Sequence, residues 1–320
     1  MRPRGLAFTF LFLLPAAASA HGGEHHDELT PSLVLRWWSW DPWVLLALAL
    51  SAWLYARGVR ALWARAGRGQ GIRRWEAGAF AAGWASLVIA LVSPLDALGG
   101  VLFSAHMAQH EVLMLIAAPL LVLGRPLVAF LWALAPPRRE RIAAWVQSRP
   151  VAAGWRAITG PLTVFAIHGV ALWVWHIPSL YEATLTSDFI HALQHLSFLG
   201  SAALFWWAMI HGRYGRIGYG VAVFYVFATS LHSSVLGALL TFAPRLWYPI
   251  YAVRTARWGL RPLEDQQLAG LLMWVPSGVI FILLGLALFA AWLGESERRV
   301  AFTESERLWK AGASGGGDAA

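Results

Sequence analysis

Cysteine is absent from all 320 residues. Its absence excludes disulfides, thiolate metal sites, iron-sulfur clusters and thiol redox chemistry, and leaves His, Met and carboxylates as the groups able to hold a metal. Charge is scarce as well. Only 13% of residues are Asp, Glu, Lys or Arg, about half the share in a soluble domain. Apolar residues, by contrast, make up 58% of the chain, and its mean hydropathy is +0.55. This composition excludes an ordinary soluble enzyme and predicts an all-α polytopic membrane bundle with the lipid bilayer as its solvent. The 20 Trp, many at the ends of apolar runs, fit the aromatic belts that anchor spans at headgroup level. Although the net charge is +8, the basic residues lie between apolar runs and form no patch on a polar domain. That argues against a nucleic-acid partner.

The N-terminus has the order of a secretory leader: Arg2 and Arg4, the apolar stretch from Leu6 to Ala17, then Ala18-Ser19-Ala20. Residues 1–20 are therefore expected to be a cleaved signal peptide, the alternative being an uncleaved first helix. Cleavage before His21 would leave a His-rich segment over 21–41 on the outer side of the membrane. Seven apolar runs follow, at about 42–56, 76–93, 101–123, 158–177, 190–211, 218–242 and 266–293. Most approach the ~20 residues that cross a bilayer as helix, so 42–293 is read as a seven-span domain and 294–320 as a disordered cytoplasmic tail. A further stretch, Leu127 to Ala135, is too short to cross and is expected at the interface. Sorting basic residues by connecting segment puts 18 on one side and five (Arg36, Arg245, Arg254, Arg257 and Arg261) on the other. By the positive-inside rule the richer side is cytoplasmic. The N-terminus is then outside and the C-terminus inside a bacterial-type cytoplasmic membrane. The four Arg at 245–261 strain that rule.

An ionisable residue within a span is costly and marks a functional site by default. His106 and His110 are four residues apart, hence on one helix face, and His191 and His195 repeat the spacing. Placed by depth, these four and His176 and His232 share the outer half of the membrane, while His168 lies deeper. Neutral imidazole suits copper, zinc, iron and nickel. The alternative for such pairs is hydrogen-bonding glue between helices. Met107 and Met273 are weaker candidates, whose thioethers would favour Cu(I) but which more often simply pack. Glu111, beside His110, needs a partner on a facing helix. Asp96 is one of several acids (with Glu182, Asp188, Glu264 and Asp265) near the outer mouths, where they would concentrate cations or merely face solvent. In the N-terminal segment, His21, His25 and His26 form a possible copper-capture arm, conditional on cleavage before His21.

The segments SPLDAL (93–98), FSAHMAQHEVLMLIAAPLLVLGRP (103–126), HGVALWVWHIPSLYEATL (168–185), HALQHLSFLGSAALFWW (191–207), LHSSVLGALLTFAPRLWYP (231–249) and DQQLAGLLMWVPSG (265–278) together resemble the CtaG family. These are polytopic assembly factors of haem-copper cytochrome c oxidases, distinct from the thiol-bearing periplasmic copper chaperones that sometimes share the name. The resemblance runs from about 76 to 293. It implies a non-enzymatic part in maturing the oxidase, by delivering copper, expected as Cu(I), to the subunit that carries the binuclear centre. A periplasmic copper donor would lie upstream. The family's His positions fall on His106, His110, His168, His176, His191, His195 and His232.

Other readings remain open at this point. A redox protein would hold haem b between two His on facing helices, although i,i+4 pairs suit a compact ion better. A copper transporter would distribute ligands through the full depth, whereas here only His168 and His211 lie beyond the outer half. A scaffold would use its histidines for packing alone.

Overall fold

The computed structural model describes residues 34–211 and 219–315, and every regular element among them is helical. The expected signal peptide and His21, His25 and His26 lie outside the described residues. In chain order the α-helices are α1 (Pro42–Ala66), α2 (Arg74–Leu91), α3 (Pro94–Gly99), α4 (Phe103–Glu111), α5 (Ala118–Leu123), α6 (Pro126–Trp132), α7 (Pro136–Gln147), α8 (Arg149–Ile158), α9 (Pro161–Trp175), α10 (Pro178–Thr184), α11 (Asp188–His211), α12 (Tyr219–Thr241), α13 (Tyr251–Arg254) and α14 (Pro262–Gly315). A π-helical turn, Val112–Ala117, joins α4 to α5 without a break in the rod.

Prolines set many of the starts. Pro42, Pro94, Pro126, Pro136, Pro161, Pro178 and Pro262 each open a helix, where the missing N–H has no intrahelical partner to lose. Asp41 reinforces the first of them by accepting from the amides of Trp43 and Val44 at 2.7 and 3.2 Å. At the other end α1 stops on Gly67, whose φ of 94° suits glycine.

Hydrogen bonds between connectors define the two ends of the bundle. At one end the segments around 93–102, 176–187 and 242–261 are tied together: Tyr251 donates to the Gly99 carbonyl, Tyr248 to that of His176, and the Ile250 amide to Glu182. Ser39 joins the same end through the Val92 carbonyl. At the opposite end Arg125 reaches the Gly71 carbonyl, Tyr55 that of Gly124 and Arg57 that of Ala133. We call these the histidine end and the arginine end. The chain alternates between them through α1, α2, the α4–α5 rod, α8 with α9, α11, α12 and α14.

Among the described residues, five helices are long and apolar enough to cross a membrane: Pro42–Ala66, Phe103–Leu123, Asp188–His211, Gly220–Thr241 and Pro262–Glu297. The α8–α9 pair, bent by 58°, makes a sixth if counted as one broken span. This is a multi-pass membrane architecture. Helix α2 is where a count of seven departs from five or six, since it opens on Arg74 and Glu76 and has 18 residues in all. Helix α14 continues past 294 to Gly315. The short apolar stretch after Pro126 forms α6 and packs on α1 with Leu127, Ala129 and Leu131 buried.

Small residues let the last two long helices meet closely. A Cβ on Gly270 of α14 would stand 2.6 Å from the Gly237 carbonyl of α12, so the backbones approach as membrane helix pairs with small residues do. The principal apolar core, which includes Phe103, Met107, Phe198, Phe205, Tyr248 and Tyr251, extends from there to the histidine end.

Candidate metal centre

The rod bearing the first histidine pair has no side-chain cap of its own, since Leu102 precedes it. Its unpaired amides are satisfied from another helix. Asp265 of α14, 1% exposed, accepts from the Phe103 amide at 2.6 Å, the Ser104 amide at 3.3 Å and the Ser104 hydroxyl. A carboxylate at a helix start meets both free N–H groups and the positive end of the dipole. The three carbonyls just before the rod are held as well. Tyr251 donates to Gly99 (2.7 Å), Arg254 to Gly100 (2.9 Å) and Thr255 to Val101 (3.1 Å). This accounts for part of the basic character of segment 245–261, because Arg254 is committed to a carbonyl and Arg261 to Glu264. Sequence reasoning placed Asp265 among the acids near the outer mouths and gave Tyr251 no role. Contacts 162 and 152 residues apart leave no local spacing to find them by.

From this fixed start His106 and His110 project against the first turns of α11. The rings of His106 and His110 lie 4.4 Å apart between centroids, His191 and His195 4.2 Å, His106 and His191 5.2 Å, and His110 and His195 5.4 Å. Ligand-capable nitrogens of His106, His191 and His195 fall within 4.8 Å of one another. Two nitrogens at ~2.0–2.1 Å from a tetrahedral ion stand ~3.4 Å apart, so a bound ion would draw the rings inward. His110 is 2% exposed and His106 is fully enclosed.

Hydrogen bonds leave much of this imidazole surface unused. Gln194 Oε1 accepts from His106 Nε2 at 3.1 Å, an amide orientation that leaves the His106 lone pair on Nδ1. His106 Nδ1, both nitrogens of His110, and Nε2 of His191 and His195 are buried without a hydrogen-bond partner among the described residues. Each such group forfeits its hydration, at a cost of ~1–3 kcal/mol. A shared cation is the economical way to satisfy several lone pairs together.

The remaining predicted residues divide by position. His176 lies across Phe198 from His110. Its Nδ1 donates to the Leu172 carbonyl at 2.7 Å, which fixes the lone pair on Nε2, and that atom is buried and unpartnered. Asp96 accepts from Gln109, whose amide also donates to the Ala90 carbonyl. Burial holds the Asp96 carboxyl above the ordinary carboxylate range, against the opposing pull of His191 and of hydrogen bonds from Gln109 and Ser39. His168 and His232 form a separate pair with ring centroids 6.1 Å apart. Met107 is wholly buried in the principal core. Glu111 and Met273 line a cavity with His168.

Residues 53–295 match the model of the cytochrome c oxidase caa3 assembly factor family, Caa3_CtaG. The chain belongs to this assembly factor family. The match takes in α2, the histidine rod and every element up to the apolar part of α14, and so covers both histidine groups. Among curated proteins, this assembly factor family member is 28% identical over 295 residues to the uncharacterized proteins Mb0105 of Mycobacterium bovis and MT0111 of Mycobacterium tuberculosis, covering 88% of its own length and 43% of theirs. It is 27% identical over 243 residues to the uncharacterized protein ML1998 of Mycobacterium leprae, covering 72% of this chain and 36% of that one. The chain thus spans less than half the length of the curated relatives it matches. No solved structure matches it.

Proposed function

We propose that this member of the assembly factor family binds Cu(I) at the histidine end and hands it to the oxidase subunit that houses the binuclear centre. The reading rests on one observation: four histidines from α4 and α11 stand ring against ring in the protein interior with five ring nitrogens lacking a hydrogen-bond partner. Neutral imidazoles in such a cluster satisfy their lone pairs by ligation. Copper is cargo here, so the chemistry is ligand exchange and the protein is not an enzyme. A periplasmic donor would supply the ion.

Among the described residues α1, α2, the α4–α5 rod, α8 with α9, α11, α12 and α14 run between the two ends, which supports seven crossings with α2 as a short, protein-packed span. The basic residues of segments 57–74 and 125–156 support the arginine end as the cytoplasmic one, with the N-terminus outside. The histidine end then faces the periplasm or exterior, where copper arrives. Haem is the weaker ligand for this cluster. Rings packed at 4.2–5.4 Å leave no slot for a macrocycle between two of them.

The test is copper content of the client oxidase in cells expressing the His106→Ala/His110→Ala variant in place of wild type. We expect a loss of oxidase copper with the assembly factor still inserted, since Ala suits helix and lipid alike. Unchanged oxidase copper would overturn the reading.

A further inference from the structure

Below the histidine cluster, in the middle of the bundle, lies a cavity with about 30 Å³ of free space, enough for a water molecule or a small ion. Most of its wall is apolar. Glu111, His168, Ser233, Ser277 and Trp206 bring polar groups to it, and Met114 and Met273 bring thioethers. The Glu111 Oε2 is buried and has no hydrogen-bond partner among the described residues. An unpaired carboxyl at this depth is costly and marks a functional site by default.

The surroundings are built rather than incidental. Trp206 Nε1 donates to the Met114 carbonyl at 2.9 Å and the Ser277 hydroxyl to the Met273 carbonyl at 2.5 Å, so the backbone of each methionine is anchored. Ser201 occupies Nδ1 of His168 at 3.2 Å, leaving Nε2 as that ring's other site. Glu111 ends α4 and Met114 sits in the π-helical turn that follows, a departure from α-geometry that recurs at functional sites. One continuous rod therefore carries His106 and His110 to the outer cluster, and Glu111 and Met114 to the cavity.

We propose that this cavity is a second binding site, for a soft monovalent cation such as Cu(I), held by the Met114 and Met273 thioethers and the His168 imidazole, with Glu111 balancing its charge. Thioether sulfur selects Cu(I) over harder ions. A single negative charge beside a single positive one makes the pair neutral in a low-dielectric interior. The inference rests on the copper reading of the outer cluster but assigns a different donor set at a different depth.

The full-length protein in lipid nanodiscs, titrated anaerobically with Cu(I) against a competing chelator, tests it by metal count and copper K-edge X-ray absorption. Wild type is expected to bind copper with both nitrogen and sulfur neighbours. The Met114→Leu/Met273→Leu variant, which conserves volume, should lose one equivalent and all sulfur scattering while keeping nitrogen-bound copper. The variant with Ala at His106, His110, His191 and His195 should keep the sulfur-bound ion. Sulfur-free copper in wild type, or unchanged stoichiometry in the methionine variant, overturns the second site and leaves the outer one standing. Protein that takes up no copper overturns both. A methionine variant that elutes as aggregate is replaced by Glu111→Gln, for which an unchanged wild-type count and affinity would equally defeat the assignment.

Discussion

Asp265 of α14 caps α4 by accepting from the backbone amide of Phe103 across 162 residues of sequence. The position of His106 and His110 therefore depends on the seating of the last long helix as well as on their own. Removing the carboxylate leaves buried amides at the start of the rod without acceptors. Asp265→Ala should cost roughly 1–2 kcal/mol by loss of the cap alone, read as a lower unfolding temperature in detergent. Cu(I) affinity should fall with it, because the ligands lose their fixed origin. An Asp265→Ala protein with wild-type unfolding temperature and affinity would show that the cap does not hold the site.

Gln194 sits one residue before His195 and meets His106 from the facing helix. In the proposed site it orients a ligand instead of donating to the metal. Groups in this position commonly tune metal affinity by ~10–100-fold. Gln194→Leu should weaken Cu(I) binding in that range while the copper count at saturation stays unchanged. Gln194→Glu keeps an oxygen acceptor and should recover part of the loss. Equal affinities for all three proteins in a chelator competition would reduce Gln194 to packing.

Local sequence carried the histidine centre far but not completely. The two i,i+4 pairs put four imidazoles on two helix faces, and depth along each run put those faces at one end, which is enough to expect a cluster. Depth says nothing about azimuth. His232 consequently read with the outer group, although it faces His168, which depth had already set apart. The same limit hid the partners of Asp265, Tyr251 and Gln194, which come from other elements. Apolar runs marked the long helices well because bilayer thickness sets a length that can be counted. They were less informative for α2, where Arg74 and Glu76 open the helix, and for α6, whose apolar residues bury against α1 through a close approach at Gly58. Glu111 was recognisable as costly, but its setting beside a cavity was not, because that setting is assembled from several helices.

Tyr251 links three parts of the histidine end. Its hydroxyl donates to the Gly99 carbonyl at 2.7 Å and lies 2.9 Å from the Tyr181 hydroxyl, and its ring packs against Phe103. Tyr251→Phe keeps the ring and removes both hydrogen bonds, leaving a buried carbonyl unpaired. We expect a destabilisation of about 1–3 kcal/mol, visible as a drop in unfolding temperature. Tyr181→Phe, which leaves the Gly99 bond intact, should do less. The reverse ranking would mean that the tyrosine pair, and not the carbonyl tether, secures this end.

Close packing of α12 on α14 makes the final prediction selective within a single helix. On Gly270 a methyl group would meet the Gly237 carbonyl at 2.6 Å and the Thr241 hydroxyl at 2.5 Å, whereas on Gly278, two turns further along, it would meet nothing within 4 Å. Backbone atoms cannot turn aside as a flexible side chain can, so Gly270→Ala must push the helices apart. Overpacking of this kind costs about 1–3 kcal/mol or more. Gly278→Ala, freed of any clash, should be neutral or gain slightly from better helix propensity. Separation of α12 from α14 would also shift Asp265, so Gly270→Ala should weaken Cu(I) binding although it touches no proposed ligand. Thermal unfolding and copper competition on the two variants side by side decide the point, and equal behaviour would show that α14 is free to move without disturbing the metal centre.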